Sequence, residues 1–285
     1  MKQLLIPTDL ADNAEEALSF VLPIAINLEA AIHLINAVDD PFVTHERPVH
    51  EETGVEKYTS DLLYKMRTEA ETGMQQLVAT FQQKLHDLGK NLPVFGYVEN
   101  GVADKVILDK AAALHPQLII MGRHKHNRLE RLFFGSIAQS VMQKSNYPVL
   151  VVPESYQFTT ATEVLYLTNL DPNDSYAIGK LLNLLRPFNI KLHLVHFNTS
   201  SKDAESSIFA IAEQLKSDYK DINIEYEVID TKIVHEAWQQ YVQHKKIEAI
   251  ALTGVKHHGI AGLLHQSTSV NVLYQSKLPV FIIPK

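Results

Sequence analysis

The chain repeats itself, and this internal repeat limits the fold more than any other feature of its 285 residues. Residues 147–153 read YPVLVVP, and residues 278–284 read LPVFIIP, 131 positions later. Near the start, residues 4–10 read LLIPTDL, and residues 164–170 read VLYLTNL at an offset of 160. Two copies of one structural unit therefore follow each other, and the second copy lacks about 30 residues between its second and third strands.

Short apolar runs alternate with helical patterns in both copies. Runs bounded by proline, such as 149–152 (VLVV), are typical of buried strands. Apolar residues recur at helical spacing over 14–28, 66–88 and 177–185, and more briefly over 208–215. Strands that are apolar throughout and separated by amphipathic helices predict an α/β fold, with a parallel sheet covered on both faces.

The repeat also predicts the domain organisation. The first domain is expected to span residues 1–153 and the second residues 163–285. Residues 154–162 between them are mostly polar and show little periodicity, which is typical of a linker.

Composition excludes several classes of function. Of all residues, 46% are apolar and 21% are charged, which is ordinary for a folded globular protein. Cysteine is absent, so the chain has no disulfide, thiol nucleophile or thiolate metal site. A net charge of -7 argues against nucleic-acid binding. The N-terminal apolar run is too short for a signal peptide, and no run approaches the roughly 20 apolar residues of a membrane span, so we expect a soluble cytoplasmic protein without a membrane partner.

The ends of two strands in the first copy carry the residues that suit a ligand. In open parallel sheets, ligands bind at the carboxyl ends of strands where the strand order reverses. Asp9 follows the first strand and can accept hydrogen bonds from a ribose or an adenine amine. Gly122 allows a tight strand exit, and Gly135 lets backbone approach a ligand. Ser136 begins a helix whose free N–H groups suit a phosphate.

The order of these motifs resembles that of the universal stress proteins, and the resemblance covers nearly the whole chain. The first copy carries PTD at residues 7–9, MG at 121–122, GS at 135–136 and a final PVLVV at 148–152. The resemblance implies two tandem doubly wound domains, each with a five-stranded parallel sheet of order 3-2-1-4-5 flanked by helices. It also implies that the strand order reverses between strands 1 and 4, which places Asp9 and Gly122 on opposite sides of one crevice.

The resemblance further implies a site for ATP or another adenine nucleotide, with Mg²⁺ if the ligand is a triphosphate. Val38 matches the position whose backbone faces the adenine, and the basic Arg123 and Lys125 lie beside Gly122 in the sequence. The positions that match nucleotide contacts in the family are Pro7, Thr8, Asp9, Met121, Gly122, Gly135, Ser136, Ile137 and Ala138.

Lys125 is the departure from the family's pattern in the first copy. Nucleotide-binding members carry Gly-x-x-Gly, nine residues, and then Gly-Ser or Gly-Thr. Here Lys125 occupies the position of the second glycine, between Gly122 and Gly135. Two interpretations stay open: the added Cβ forces a different loop, or the ammonium group contacts a phosphate directly.

The second copy departs further from the pattern. Asn169 replaces the acid, His257 takes the second glycine position, and Gln266 replaces the glycine before Ser267. We expect this copy to have a structural role. In the family, such domains pack through their last strands, so the second copy is similar to a built-in dimer partner. A further homodimer and unknown protein partners stay open.

Histidines and enzyme motifs complete the analysis. The pairs His124 and His126, and His257 and His258, lack a third ligand at obvious spacing, so solvated loop histidines are favoured over a zinc site. His33 and His193 occupy equivalent strand positions and are expected to make structural hydrogen bonds. Neither a phosphate-binding GxxxxGK[ST] loop nor a GxSxG nucleophile elbow occurs, so we predict that the protein is not an enzyme.

Three hypotheses follow for the function. The first is a regulatory protein whose first copy senses a nucleotide and changes a surface that partners recognise. The second is a nucleotide-independent interaction scaffold in which both crevices are vestigial. The third is a slow nucleotide hydrolase. A saturable thermal shift with ATP, ADP or AMP distinguishes the first from the second.

Overall fold

The protein is described by a computed structural model that covers residues 1–10, 14–39, 54–122, 135–153, 156, 162–171, 174–198, 203–254 and 276–285. The chain divides into two compact units, Met1–Ile119 and Ile120–Lys285. Most of the expected linker, 154–162, lies outside the described residues. The bounds expected from the repeat therefore stay a prediction.

Strands and helices alternate through the first unit. Its elements are β1 (Lys2–Pro7), α1 (Ala14–Leu28), β2 (Ala30–Val38), α2 (Gly54–Asp87), β3 (Val94–Asn100), α3 (Ala103–Leu114) and the start of β4 (Leu118–Gly122). The strands pair in parallel, for example Leu4 with Ile32 on one side and with Leu118 on the other. Because β2 also pairs in parallel with β3, the strand order in this unit is β3-β2-β1-β4.

The second unit contains the end of β4 and the rest of the chain. Its remaining elements are α4 (Ser136–Lys144), β5 (Val149–Val152), β6 (Glu163–Leu167), α5 (Asp174–Leu185), β7 (Lys191–Asn198), α6 (Ala204–Asp218), β8 (Asn223–Asp230), α7 (Val234–Lys245), β9 (Ala249–Gly254) and β10 (Val280–Pro284). The strands of the second copy run in the order β8-β7-β6-β9-β10. This is the predicted order 3-2-1-4-5, and β5 likewise follows β4 in the first copy. The predicted doubly wound α/β fold is confirmed.

The last strands of the two copies pair with each other inside the second unit. Val280 of β10 lies opposite Val151 of β5, and Ile282 lies opposite Val149, in antiparallel register. On its other edge, β10 pairs in parallel with β9. The direction of pairing therefore changes at β10, where one copy meets the other.

The core of each unit is a layer of strands covered by helices. In the first unit, Leu4, Leu5 and Ile32 are fully buried, and so is Phe81 of α2. Because a strand covered on both faces excludes water from both, these strands read as continuous apolar runs. The core therefore lies where the apolar runs predicted it.

A glycine in an edge strand lets α2 approach the sheet. A Cβ on Gly96 would stand 2.6 Å from Met74 Cγ and 2.8 Å from Val78 Cγ2. A glycine inside a strand often marks such a close approach. The close contact fixes where α2 crosses β3.

Helix α2 is longer than the sequence pattern predicted. The apolar pattern begins at residue 66, whereas the helix begins at Gly54 and ends at Asp87. Its counterpart α6 has 15 residues, in agreement with the shorter pattern in the second copy. Charged residues interrupt the apolar pattern in the first part of α2, so the pattern begins later in the sequence than the helix does.

Candidate functional site

A tight turn follows β1 in the first unit. The N–H of Thr8 donates to Ile35 O at 2.9 Å, and the N–H of Leu10 donates to Thr8 Oγ1 at 3.1 Å. Leu10 adopts a φ of 59°, which is unusual for a residue with a side chain. The amide of Asn36 donates to Thr8 O at 2.9 Å. These contacts fix the backbone on both sides of Asp9, and the Asp9 side chain is exposed.

The same turn follows β6 in the second unit. The N–H of Thr168 donates to Val195 O at 3.0 Å, and the N–H of Leu170 donates to Thr168 Oγ1 at 2.9 Å. Leu170 also has a φ of 59°. Here His196 Nδ1 lies 2.9 Å from Thr168 O, where the first copy uses an asparagine amide. The repeat predicted from the sequence therefore extends to individual hydrogen bonds.

Val38 closes β2 in the first unit. It is the last residue of that strand and is only 6% exposed. Its carbonyl oxygen accepts a hydrogen bond from Gly101 N at 3.0 Å. This bond fixes the backbone at the position that the resemblance assigns to the adenine.

The remaining described residues of the predicted site belong to the second unit. Met121 is buried and Gly122 is exposed at the end of β4. Among the residues that the structure describes, no atom lies within 4 Å of the place where a Cβ on Gly122 or on Gly135 would stand. Neither glycine is therefore packed against another described residue. Arg123 and Lys125 lie outside the described residues.

Helix α4 begins directly after the second of these glycines. Gly135 is its N-cap, with φ −57° and ψ 153°, and no side chain caps the helix there. Ser136 and Ile137 are exposed, whereas Ala138 is buried against the protein. Since the first turn of a helix carries N–H groups without intrahelical partners, this end of α4 can accept an anion.

The corresponding strand ends of the second copy are filled by a hydrogen-bonded network of buried side chains. Thr168 Oγ1 donates to Asp174 Oδ2 at 2.5 Å, and Thr253 Oγ1 donates to Asp174 Oδ1 at 3.1 Å. The hydroxyl of Tyr166 bonds with that of Thr253. Tyr166 is fully buried and Asp174 is 2% exposed. Burial, reinforced by the nearby Asp174 carboxylate, raises the pKa of Tyr166 well above its ordinary range, so this hydroxyl stays protonated.

The first copy lacks the side chains for such a network. Ile6 and Met121 occupy the positions equivalent to Tyr166 and Thr253 and cannot form these hydrogen bonds. The network is a feature that sequence reasoning missed. Polar residues within strands that are otherwise apolar, Tyr166 and Thr253 above all, were the signal that could have indicated it.

Gly254 also differs from its equivalent Gly122. A Cβ on Gly254 would stand 3.1 Å from Ile282 Cγ2 and 3.5 Å from Ile283 O. Gly254 therefore serves close packing inside the second unit, whereas Gly122 is not packed against any other described residue.

The buried His33 makes structural hydrogen bonds, as predicted. Its Nδ1 lies 3.1 Å from the Tyr97 hydroxyl and its Nε2 lies 2.5 Å from Gln3 Oε1. The ring also stacks on Phe95, with centroids 4.9 Å apart. Burial, and secondarily the charge of Lys110, lowers the pKa of His33 below its ordinary value of 6.5.

The equivalent His193 makes the same kind of contacts with different partners. Its Nδ1 lies 3.1 Å from the hydroxyl of Tyr241 on α7, and its Nε2 bonds with the Glu163 carboxylate. Both histidines contact the residue at the start of the neighbouring strand, Gln3 or Glu163, and not the strand ends that carry the predicted site. Their role is structural.

Neither a metal cluster nor a membrane helix emerges from the part of the chain that the structure describes. There, no three histidine, aspartate or glutamate side chains are grouped to hold a metal ion. The four loop histidines at 124, 126, 257 and 258 lie outside the described residues. None of the described helices combines the length and apolar content that a membrane crossing needs.

Comparison with known proteins identifies the family. Residues 1–153 match the model of the universal stress protein family. The chain belongs to this family. One universal stress protein of Methanocaldococcus jannaschii is 30% identical over 152 residues, which are 53% of this chain and 81% of the relative. Another from the same organism is 28% identical over 159 residues, 53% of this chain and 94% of its own.

A solved structure extends the similarity in fold to both copies. The crystal structure of a universal stress protein from Archaeoglobus fulgidus aligns with 99% of this chain and 96% of its own, with a TM-score of 0.72. Sequence identity is 16%, so this likeness concerns the fold alone. It agrees with the tandem arrangement of two doubly wound copies in this universal stress protein.

Proposed function

We propose that the first copy of this universal stress protein binds ATP or another adenine nucleotide at the carboxyl ends of β1 and β4, and that the protein acts as a nucleotide sensor. The observation that carries the proposal is the difference between two equivalent glycines. Among the described residues, no atom lies within 4 Å of a Cβ placed on Gly122, whereas a Cβ on Gly254 would stand 3.1 Å from Ile282 Cγ2. This difference supports a ligand site in the first copy and a structural role for the second.

The phosphates are proposed to bind at the start of α4. No described residue lies within 4 Å of the place where a Cβ on Gly135 would stand, so a phosphate oxygen is proposed to approach the backbone closely there. The exposed Ser136 can donate its hydroxyl, and the helix dipole favours a negative charge at this end. Ile137 and Ala138 complete this part of the proposed site.

The nucleoside is proposed to bind beside Asp9. The turn that Thr8 fixes holds Asp9 at the strand end with its carboxylate exposed. A carboxylate there can accept hydrogen bonds from ribose hydroxyls or the adenine amine. Pro7, Val38 and Met121 belong to the proposed contacts on this side, by their match to the family's positions.

Two basic residues and a metal ion belong to the proposal on the phosphate side. Arg123 and Lys125 would neutralise phosphate charge, and Mg²⁺ would accompany a triphosphate. A variant at Lys125 distinguishes the two interpretations of this residue, which departs from the family's glycine. If the ammonium contacts a phosphate, replacing Lys125 with Gly weakens binding. If it only obstructs the loop, the same change strengthens binding.

The second copy is proposed to be structural, so one nucleotide is expected per chain. The side chains of Tyr166, Thr168, Asp174 and Thr253 satisfy one another's hydrogen bonds at the strand ends. These hydrogen bonds join β6, α5 and β9, which supports a structural role for this copy.

Calorimetric titration of the full chain with ATP, ADP and AMP, with and without Mg²⁺, tests the proposal. We expect saturable binding of about one nucleotide per chain, and stabilisation of about 2.7 kcal/mol at a ligand concentration of 100 times Kd. Asp9→Ala and Gly135→Glu should each abolish binding. The matched control is Asn169→Ala, at the exposed equivalent position in the second copy, which should bind normally.

Three other outcomes would decide between the alternatives. Absence of binding by the folded protein contradicts the proposal and favours the nucleotide-independent scaffold. Equal loss in Asn169→Ala contradicts the assignment to the first copy. Release of phosphate that ceases in Asp9→Ala identifies a slow hydrolase and not a sensor.

A further inference from the structure

Helix α2 has an outer segment, residues 61–73, that is less covered by the rest of its unit than the residues that follow it. None of these 13 residues is buried. Among residues 61–87 of the helix, the buried side chains are those of Met74, Leu77, Phe81 and Leu85. Because isolated helices of this length are marginal in water, an amphipathic helix normally requires a surface to cover its apolar face.

The apolar stripe of α2 continues through the outer segment. Leu63, Met66 and Ala70 precede Leu77 at helical spacing, on the same face as the buried side chains. Leu62 borders this stripe and is 38% exposed, and Met66 is 37% exposed. Leu63 and Ala70 are half-buried, so the face that packs against the sheet later in the helix is only partly covered here.

Charged side chains flank the stripe in a regular arrangement. Lys65 and Glu69 lie on one flank, with 3.8 Å between Nζ and Oε1. Arg67 and Glu71 lie on the other flank, with 2.8 Å between Nε and Oε1. On both flanks the base precedes the acid by one turn.

These ion pairs contribute little within the chain. Their side chains are between 48% and 73% exposed, and exposed pairs are worth roughly 0–1 kcal/mol. Within one helix, the order base-then-acid is also the less favourable orientation. The arrangement therefore suits a contact outside the helix better than it suits the helix itself.

We infer that the outer segment of α2 is a self-association surface, which packs against the outer segment of a second copy of this chain in antiparallel orientation. The two-fold axis crosses the helix at the level of Thr68, halfway between Met66 and Ala70. Met66 of each copy then lies opposite Ala70 of the other, so a large side chain meets a small one. The axis also brings Lys65 close to Glu69 of the second copy, and Arg67 close to Glu71 of the second copy. Such an interface is isologous: the same residues serve both copies.

The size of the surface sets the expected affinity. At 1.5 Å per residue, 13 helical residues span about 20 Å, which makes a small interface. We therefore expect a reversible dimer that dissociates in the micromolar range and weakens as salt screens the flanking charges. This inference does not depend on nucleotide binding.

Sedimentation velocity of the full chain over about 1–200 µM tests the inference. The native protein should shift from monomer to dimer as concentration rises. An acidic variant, Lys65→Glu with Arg67→Glu, and a basic variant, Glu69→Lys with Glu71→Lys, should each remain monomeric. An equimolar mixture of the two variants should form a heterodimer, because opposite charges then face each other on both flanks.

The mixture separates the interface from any effect on helix stability. Both variants place like charges four residues apart within their own helix, which destabilises that helix. Mixing the variants relieves this repulsion only if the outer segments of two chains contact each other. The matched control is Lys84→Glu with Lys90→Glu, which changes the net charge as the acidic variant does but lies outside the outer segment; it should dimerise normally. A native chain that stays monomeric, variants that dimerise like the native chain, or a mixture that stays monomeric would each overturn the inference.

Discussion

Asp174 accepts a hydrogen bond from Thr253 at 3.1 Å, which ties the start of α5 to the end of β9. These residues lie 79 positions apart in the chain, and both belong to the second copy of the repeat. The second oxygen of the Asp174 carboxylate accepts from Thr168. The strand ends that are proposed to hold a ligand in the first copy are thus joined by side chains in the second.

Replacing Asp174 should destabilise the protein strongly. In Asp174→Ala, the buried hydroxyl of Thr168 and the half-buried hydroxyl of Thr253 lose their acceptor, so we expect a loss of about 2–4 kcal/mol in the free energy of unfolding. Urea denaturation followed by circular dichroism measures this loss. Asn169→Ala, at an exposed position nearby, is the control and should change stability by less than about 0.5 kcal/mol. A similar small change in both variants would refute a stabilising network.

An added methyl group should lower the free energy of unfolding at Gly254 but not at the equivalent Gly122. Gly254→Ala places a Cβ 3.1 Å from Ile282 Cγ2, so we expect a loss of about 1–3 kcal/mol in the free energy of unfolding. Gly122→Ala adds a Cβ that meets no described residue within 4 Å and should leave that free energy unchanged within about 0.5 kcal/mol. Thermal unfolding of both variants side by side checks the contrast, and equal losses would contradict the structural difference between the copies.

Gly96→Ala should disturb the packing of α2 on β3. The new Cβ would lie 2.6 Å from Met74 Cγ, so either the Met74 side chain or the helix must shift. We expect a loss of about 1–3 kcal/mol in the free energy of unfolding. The double variant with Met74→Ala removes the nearer of the two obstructing side chains, Val78 being the other, and it should lose less than the sum of the two single variants. If the loss in the double variant equals the sum of the two single losses, the contact between residue 96 and Met74 does not limit the packing of α2 on β3.

Stability should fall as the pH drops below about 6.5, with a contribution from His33. Burial lowers the pKa of His33 in the folded protein, so the unfolded chain takes up a proton first as the pH falls. The contribution is complete above the unfolded value and is lost as the pH falls towards the folded value. Denaturation from about pH 5 to pH 8 should give a shallower slope for His33→Gln than for the native protein. Identical slopes would count against a neutral, buried His33.

The fold could be predicted from sequence because its main signals are local or repeated. Paired apolar runs such as 149–152 and 280–283 predicted the positions of the strands. The offset of 160 aligned Leu10 with Leu170 in the sequence, and both residues have a φ of 59°. The start of α2 at Gly54 was missed, because charged residues interrupt the apolar pattern of the sequence there.

The side-chain network of the second copy lay beyond sequence reasoning for a different reason. No spacing rule joins Asp174 to Thr253, since their contact depends on how β6 and β9 pair. The contrast between Gly122 and Gly254 was equally hidden. Both glycines end the same kind of strand, and only their neighbours in space distinguish them.

The antiparallel pairing of β5 with β10 has a consequence for how the two copies could diverge. If the two copies were separate chains, dilution would separate the strands that pair between them. Here both strands belong to one polypeptide, so each meets the other at an effective concentration of order millimolar, whatever the protein concentration in solution. A covalent partner of this kind is not lost on dilution, so the sequence of one copy can change without the pairing of β5 with β10 depending on a second chain.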